Sequence, residues 1–207
     1  MSRGNPINIT IYYQNVRGIK TKLKDIFCAC LTENFSVIIL TETWLTEDVC
    51  DNEVLDDRYA IFRNDRCADN SIKGHGGGGL IAVRKFLLST QIPLCTVSVE
   101  QLFIKISINT HTIIVGTVYL PPLSDLCKYS SHVKTVCQIC EMYSDCDIFL
   151  IGDYNLPNVR WYQDDEYVGY IPCSLGGERE ICICDNFVAL SFSQLNGYIN
   201  DSGNVLD

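Results

Sequence analysis

The chain has 207 residues, of which 47% are hydrophobic and 20% are charged. This length and composition can bury a sizeable core, which argues against a wholly disordered protein, a collagen-like fibre and a coiled coil. No apolar run approaches the roughly 20 residues that span a bilayer, and residues 1–6 lack the apolar stretch of a secretory signal. We therefore expect an intracellular protein with no membrane partner, whose 12 cysteines are thiols.

The net charge of −9 comes from 16 Lys and Arg residues against 25 Asp and Glu residues. A protein that coats nucleic acid by bulk electrostatics is normally basic, so this class of function is disfavoured. A nuclease is compatible with the charge, because its carboxylates bind a metal ion that itself neutralises phosphate. One local basic cluster, which either contacts a partner or is solvated surface charge, contains Arg17, Lys20, Lys22 and Lys24.

Strand and helix patterns alternate along the chain in mixed order, which indicates an α/β or α+β layered fold. Residues 7–15 alternate apolar and polar as in a strand, and residues 21–34 carry apolar residues at helical spacing. The further predicted elements are strands at 36–40 and 59–63, a glycine-dense turn at 74–79 leading into a strand at 80–84, a hairpin of 100–108 and 112–120, a helix with its N-cap at Ser124, a buried strand at 147–151, a helix at 178–190 and a strand at 191–196. No internal repeat or linker separates these elements, so we predict one domain over residues 1–207.

Four predicted strands end in polar residues at positions where a core residue would otherwise fall. These residues are Asn15, Glu42, Tyr119 and the pair Asp153 and Asn155. The members of the pair are two residues apart, so an extended backbone places both side chains on one face. Carboxylates and amides gathered at strand ends suit Mg²⁺, which keeps several waters and needs one or two acidic ligands. Each residue alone is more typical of a turn, a half-buried aromatic or surface charge than of a binding site. Their recurrence in four strands nevertheless predicts a metal and phosphate site.

Five segments of the sequence resemble, in order, the motifs of the endonuclease/exonuclease/phosphatase superfamily. They are residues 14–18 (QNVRG), 41–45 (TETWL), 76–83 (GGGGLIAV), 118–122 (VYLPP) and 151–155 (IGDYN). Their spelling is most similar to the apurinic-like endonuclease domains of LINE-type (non-LTR) retrotransposons, and the resemblance runs from about residue 7 to the last residue. It implies a four-layer sandwich of two mixed β-sheets flanked by helices, in agreement with the predicted elements.

The resemblance implies a Mg²⁺-dependent endonuclease that nicks DNA, with Mn²⁺ as an alternative ion and a nuclear location if the DNA is chromosomal. It also implies a role for each polar strand-end residue. Glu42 would bind the metal ion, helped by Asn15. Asp153 would orient or deprotonate the attacking water, Asn155 would hydrogen-bond the scissile phosphate, and Tyr119 would contact the phosphate or stabilise the developing charge.

The sequence departs from the family pattern at its end. Asp207 matches the carboxylate that orients a histidine in this family, but the closing Ser-Asp-His segment does not follow, and His75, His111 and His132 do not match its position. We therefore expect a domain that is incomplete at its C-terminal end, with its last strand or strands missing. Two alternatives to an active endonuclease stay open: a phosphatase or phosphodiesterase of the same superfamily, and a catalytically impaired remnant or interaction module. The sequence leaves the oligomeric state unknown.

Overall fold

A computed structural model describes residues 8–65, 76–94, 98–163 and 168–197 of the chain. The strands are β1 (Ile11–Asn15), β2 (Val37–Thr41), β3 (Tyr59–Asn64), β4 (Gly79–Arg84), β5 (Leu88–Gln91), β6 (Glu100–Ile108), β7 (His111–Tyr119), β8 (Asp147–Leu150), β9 (Arg160–Gln163) and β10 (Tyr170–Ser174). The helices are α1 (Leu23–Glu33), α2 (Asp51–Val54), α3 (Leu126–Met142) and α4 (Glu178–Ala189), and a 3₁₀ turn covers Ile19–Thr21. Within these described ranges, no helix is both long and apolar enough to cross a bilayer.

The chain divides into two compact units. The first unit comprises Met1–Pro93, Glu100–Tyr119 and Cys146–Gly152, and the second comprises Leu94–Val99, Leu120–Asp145 and Asp153–Asp207. The first unit therefore holds β1 to β8 with α1 and α2, and the second holds α3, α4, β9 and β10. A single domain over residues 1–207 stays a prediction.

A four-stranded mixed sheet in the first unit has the order β1-β2-β4-β3. β1 and β2 are parallel, whereas β4 is antiparallel to both β2 and β3. The side chains of β2 are fully buried because apolar side chains pack on both faces of this central strand. The predicted strand at 36–40 is thus confirmed, with its bounds moved by one residue. The first strand begins later than predicted, at Ile11, and Thr10 instead forms a hydrogen bond of 3.3 Å from its N–H to the Ser36 hydroxyl.

The first unit contains a second mixed sheet, with the order β5-β6-β7-β8. The predicted hairpin is confirmed as β6 and β7, which are joined by a tight turn in which Asn109 has a φ of +54°. β8 is parallel to β7 and forms the edge of the described sheet. The expectation that this strand is buried is wrong: Asp147 is exposed and Phe149 is 37% exposed, because an edge strand has a neighbour on one side only.

The core of the first unit lies on both faces of the first sheet. The cluster between the two sheets contains Val37, Ile39, Ile81 and Val83 from the first sheet and Leu102, Ile104, Ile106 and Val115 from the second. On the other face, Ile38, Leu40 and Leu80 pack with Ile26 and Cys30 of α1. Strand residues alternate between these clusters because successive side chains point to opposite faces of a sheet. The predicted α/β sandwich of mixed sheets with flanking helices is confirmed.

Helices α3 and α4 pack against each other in the second unit. α3 begins one residue later than predicted, with Asp125 as its N-cap. The Ser124 hydroxyl instead donates a hydrogen bond of 2.7 Å to the main-chain oxygen of Pro121. The predicted helix at 178–190 is confirmed as α4.

The second unit also contains a small antiparallel sheet of β9 and β10, in a region where the sequence analysis predicts no strand. The predicted strand at 191–196 is wrong. Of these residues, Gln194 forms a single bridge with Tyr170, and the main chain makes no longer ladder within 168–197. One bridge is less than a strand needs, since a ladder requires successive paired residues.

Candidate active site

Asn15 and Glu42 lie side by side at one edge of the first sheet. β1 and β2 are parallel, and Asn15 at the end of β1 is the register partner of Thr41 at the end of β2. Glu42 is the next residue, and Asn15 Nδ2 donates a hydrogen bond of 2.8 Å to Glu42 Oε1. Both residues are half-buried. Parallel pairing of the two strands therefore brings together the two residues that the sequence proposed for the metal.

The loops that follow β1 and β2 continue side by side beyond the sheet. The N–H groups of Val16, Gly18 and Ile19 donate to the carbonyl oxygens of Thr41, Glu42 and Thr43, at 2.9, 2.8 and 3.0 Å. The Arg17 N–H donates to Asn15 Oδ1 at 3.2 Å. The Asn15 amide is thus held at its oxygen by Arg17 and at its nitrogen by Glu42, which fixes its orientation.

Four residues of these two loops have positive φ angles. The values are +44° at Arg17, +91° at Gly18, +54° at Glu42 and +55° at Trp44. Glycine adopts this region freely, whereas a residue with a Cβ is strained there by roughly 1–2 kcal/mol. Strained backbone of this kind clusters at binding and catalytic sites, where the surrounding structure holds it in place. The backbone therefore independently marks the same sheet edge as the Asn15–Glu42 pair.

The glycine segment 76–79 runs against the loop that follows β2. The carbonyl oxygen of Gly77 accepts a hydrogen bond from the Trp44 N–H at 3.0 Å, and that of Gly78 accepts one from the Thr43 N–H at 3.3 Å. Gly77 and Gly78 have φ angles of +72° and +84°, which explains the glycines at these positions. The predicted glycine-dense turn is confirmed for residues 76–79, whereas residues 74 and 75 lie outside the described ranges.

Glu100 and Tyr119 are register partners at the open end of the β6–β7 hairpin. The Glu100 carboxylate accepts a hydrogen bond of 2.8 Å from the Gly78 N–H through its Oε2 atom. Tyr119 is 8% exposed, so most of its ring is packed within the protein. The sequence interpretation overlooked Glu100. The available signal was its position opposite Tyr119 in the predicted hairpin.

Asp153 and Asn155 lie in the second unit, in a turn that is closed by its own hydrogen bonds. Asp153 Oδ1 accepts from the Asn155 N–H at 3.2 Å, and Asn155 Nδ2 donates to the Leu120 carbonyl at 2.9 Å. The Leu120 N–H donates to the Asp153 carbonyl at 2.9 Å. Asp153 and Asn155 are half-buried, whereas Tyr154 between them is buried. Asn155 has a φ of +50°, so the backbone here is not the extended strand from which the shared face was predicted, and that shared face stays a prediction.

Helix α3 anchors this turn through Tyr154. The Tyr129 hydroxyl donates to the Tyr154 carbonyl at 3.0 Å, and His132 Nε2 lies 3.3 Å from the Tyr154 hydroxyl. The Phe187 ring of α4 contacts the Tyr154 ring edge to face, with centroids 5.9 Å apart. Burial lowers the pKa of His132 from its usual 6.5 to about 3. His132 is therefore neutral at physiological pH and supports the turn from inside the second unit.

The donor set of the Asn15–Glu42 pair fits Mg²⁺. A carboxylate has about four lone-pair sites, so Glu42 can accept the bond from Asn15 and still bind a cation. Mg²⁺ commonly uses one or two carboxylates and fills its remaining positions with water and substrate oxygens. In the described part of the chain, no three His, Cys, Asp or Glu side chains are grouped to hold a metal. Among the described residues, the pair would therefore need water or substrate to complete the coordination of the ion.

The remaining candidates of the sequence analysis are Asp207 and the histidines His75 and His111. Asp207 and His75 lie outside the described residues, so their proposed positions stay predictions. His111 is the first residue of β7 and is exposed.

Comparison with known proteins relates the fold to that of nucleases and phosphatases. No protein-family model matches the sequence, and no curated protein matches it at significant similarity. The endonuclease domain of TRAS1, a telomere-specific non-LTR retrotransposon, is similar in structure with a TM-score of 0.62 at 13% identity, over 88% of this chain and 71% of that chain. The AP endonuclease LMAP from Leishmania major gives a TM-score of 0.61 at 16% identity, over 88% of this chain and 66% of that one. The 3′ phosphatase NExo from Neisseria, bound to product DNA hairpin, gives a TM-score of 0.59 at 13% identity, over 95% of this chain and 80% of that one.

Proposed function

We propose that this protein, whose fold is that of the endonuclease/exonuclease/phosphatase superfamily, is a Mg²⁺-dependent endonuclease that nicks DNA. The observation that carries the proposal is the hydrogen-bonded Asn15–Glu42 pair at the ends of two parallel strands. A carboxylate oriented by an amide in a strained loop is suited to binding a hard cation, and such a cation can in turn bind a phosphate.

Glu42 would hold Mg²⁺ through its carboxylate, and the Asn15 amide would keep that carboxylate in place and add an oxygen ligand. When bound, Mg²⁺ would polarise the phosphate and neutralise negative charge that develops during in-line hydrolysis. Mn²⁺ has a similar preference for oxygen ligands and is the alternative ion. The net charge of −9 makes such local neutralisation necessary for a polyanionic substrate.

Asp153 and Asn155 would handle the water and the phosphate. The Asp153 carboxylate accepts a hydrogen bond from the Asn155 N–H, which orients it. It would orient or deprotonate the attacking water. The Asn155 side-chain amide has two N–H donors and uses one of them on the Leu120 carbonyl. The second N–H would donate to the scissile phosphate. Tyr119 would contact the phosphate through its hydroxyl. Asp207 would match the carboxylate that orients a histidine in the family, although His75, His111 and His132 do not match that histidine.

The retrotransposon type of endonuclease is the specific form that we propose. The QNVRG, TETWL and VYLPP spellings support it, and so does the structural similarity to the TRAS1 endonuclease domain. A nuclear location would follow if the target is chromosomal DNA.

A plasmid-nicking assay tests the proposed function. Purified protein should convert supercoiled plasmid to the open circle in Mg²⁺, and EDTA should prevent the conversion. Hydrolysis of p-nitrophenyl phosphate without nicking would favour the phosphatase alternative. Inactivity on both substrates, at full folding by circular dichroism, would favour the catalytically impaired remnant.

The metal role of Glu42 is tested by calorimetric titration with Mg²⁺. Glu42→Gln keeps the shape of the side chain but removes its charge, so it should weaken Mg²⁺ binding at least tenfold and reduce nicking in parallel. Glu33→Gln, at an exposed position at the end of α1, is the matched control and should leave both unchanged. Equal Mg²⁺ affinity in Glu42→Gln and the control would show that Glu42 does not bind the metal ion.

The roles of Asp153 and Asn155 are tested by Asp153→Asn and Asn155→Ala. Each should lower the nicking rate by about 10²-fold or more, because each removes a group from the reacting water or phosphate. Asn158→Ala changes an exposed asparagine nearby in the sequence and should keep full nicking activity. Loss of helical signal in the circular dichroism spectrum of Asp153→Asn would instead identify the turn as structural.

A further inference from the structure

Trp44 is an exposed aromatic residue in the loop that carries Glu42. Its side chain is 47% exposed, although its neighbours Thr43 and Leu45 are buried. Its φ of +55° is a strained conformation for a bulky side chain. An exposed and strained tryptophan adds little to the core, so its presence at this position indicates binding rather than packing.

The Trp44 ring is held in place beside the Asn15–Glu42 pair. It packs against Gly18 so closely that a Cβ on Gly18 would lie 2.7 Å from the ring atom Cε3. The main-chain N–H of Trp44 donates a hydrogen bond of 3.0 Å to the Gly77 carbonyl, and the main-chain N–H of Gly18 donates one of 2.8 Å to the Glu42 carbonyl. A ring fixed in this way loses little conformational freedom when a ligand stacks on it.

Exposed charges flank the ring. Arg17 precedes Gly18 and is exposed, as is Lys20. Two exposed acids, Glu47 and Asp48, follow in the Trp44 loop; the Asp48 pKa is lowered mainly by a hydrogen bond from Thr46 and also by the charge of Lys20. Arg17 presents an exposed cation next to Gly18, the glycine on which the ring packs. An aromatic ring with an adjacent cation is the combination that binds single-stranded nucleic acid, through base stacking and phosphate contact.

We propose that Trp44 stacks on an unpaired base of the DNA substrate while Arg17 contacts a neighbouring phosphate. The inference rests on the proposed nuclease function and specifies its substrate class, which is DNA that is single-stranded or locally unpaired near the cleaved bond. Stacking on one aromatic ring accepts any base, so the preference is for an unpaired base and not for a sequence.

The two tryptophans of the chain, Trp44 and Trp161, allow a direct test. The Trp161→Phe variant leaves Trp44 as the single indole fluorophore. Its fluorescence is titrated in Mg²⁺ with a phosphorothioate single strand, which resists hydrolysis, and with a fully abasic strand of the same length and charge. The base-bearing strand should quench the fluorescence and bind at least fivefold more tightly than the abasic strand. Equal affinity and equal quenching by the two strands would overturn the inference.

Variants locate the effect at the ring. Trp44→Ala should weaken binding of the base-bearing strand by about tenfold and leave the affinity for the abasic strand unchanged. Trp44→Phe should retain part of the preference for the base-bearing strand. Phe86→Ala is the matched control, because Phe86 is also an exposed aromatic residue, at 65%. Phe86 follows Arg84 at one end of β4, whereas Gly79 at the other end of β4 pairs with Thr41 beside the candidate site. Full binding by Trp44→Ala would refute stacking.

The binding and nicking measurements fail independently. Nicking without any preference for bases would remove the stacking inference and leave the proposed function intact. Base-dependent quenching without nicking would remove the proposed nuclease function and leave the stacking of Trp44 on a base intact.

Discussion

Acidification from pH 7 to pH 5 should destabilise the protein through His132. This side chain is 1% exposed and lies between the Tyr154 hydroxyl, 3.3 Å from its Nε2, and the ring of Phe187, whose centroid is 6.1 Å away. Burial among these groups lowers its pKa from 6.5 to about 3. The unfolded chain can therefore bind a proton at pH 5 that the folded chain does not accept.

The size of the effect follows from the two pKa values. Because the folded pKa is the lower one, the stabilisation from a neutral His132 is complete above pH 6.5 and is lost as the pH falls towards 3. At 1.36 kcal/mol per pH unit, the free energy of unfolding should fall by about 2 kcal/mol between pH 7 and pH 5. The limiting loss below pH 3 is roughly 5 kcal/mol by the same arithmetic.

Urea unfolding at pH 7 and pH 5, followed by circular dichroism, measures this loss. Carboxyl groups also titrate in this range, so the comparison is with His132→Gln, which keeps a hydrogen-bonding group near Tyr154 but cannot bind the proton. The pH-dependent loss should be about 2 kcal/mol smaller in His132→Gln than in the wild type, whatever its absolute stability. His111→Gln, at an exposed position on β7, should behave like the wild type.

The reasoning would be refuted if the wild type and His132→Gln lost the same free energy between pH 7 and pH 5. An NMR titration supplies a second check, because the ring resonances of His132 should keep the chemical shifts of a neutral imidazole down to pH 5. A change of shift centred near pH 6.5 would show that the ring reaches solvent.

Three further substitutions test packing near the candidate site by chemical denaturation. Gly152→Ala would place a Cβ 2.3 Å from the Val118 carbonyl oxygen and should destabilise the protein by about 3 kcal/mol. In the control Gly79→Ala, the nearest contact of the new Cβ is at 3.7 Å, so stability should change much less. Equal losses of stability in the two variants would contradict the close approach at Gly152. Thr117→Val should stabilise the protein by about 1 kcal/mol, because the buried Thr117 hydroxyl has no hydrogen-bond partner among the described residues; a loss of stability would reveal such a partner. Tyr129→Phe removes the donor to the Tyr154 carbonyl and should cost about 1–3 kcal/mol, and unchanged stability would mean that this bond contributes nothing.

The sequence by itself determined the order and type of most elements. Their apolar periods are local properties of the chain. The hairpin of β6 and β7 could be predicted for the same reason, because its two strands are separated by a short polar turn. Strand periodicity did not reveal that β8 lies at a sheet edge, since the neighbours of a strand are set by distant segments.

Only the tertiary structure decided that Asn15 and Glu42 meet. The hydrogen bond between Asn15 and Glu42 joins residues 27 positions apart, and it exists because β1 and β2 pair in parallel with ends in register. The burial of His132 depends on the packing of α3 with Tyr154 and Phe187. The positive φ of Trp44 runs against the preference of its side chain, so local propensity could not predict it; hydrogen bonding of its loop to the glycine segment holds it there. Strand pairing, burial and backbone strain are imposed by distant parts of the chain, so they cannot be predicted from the local sequence pattern.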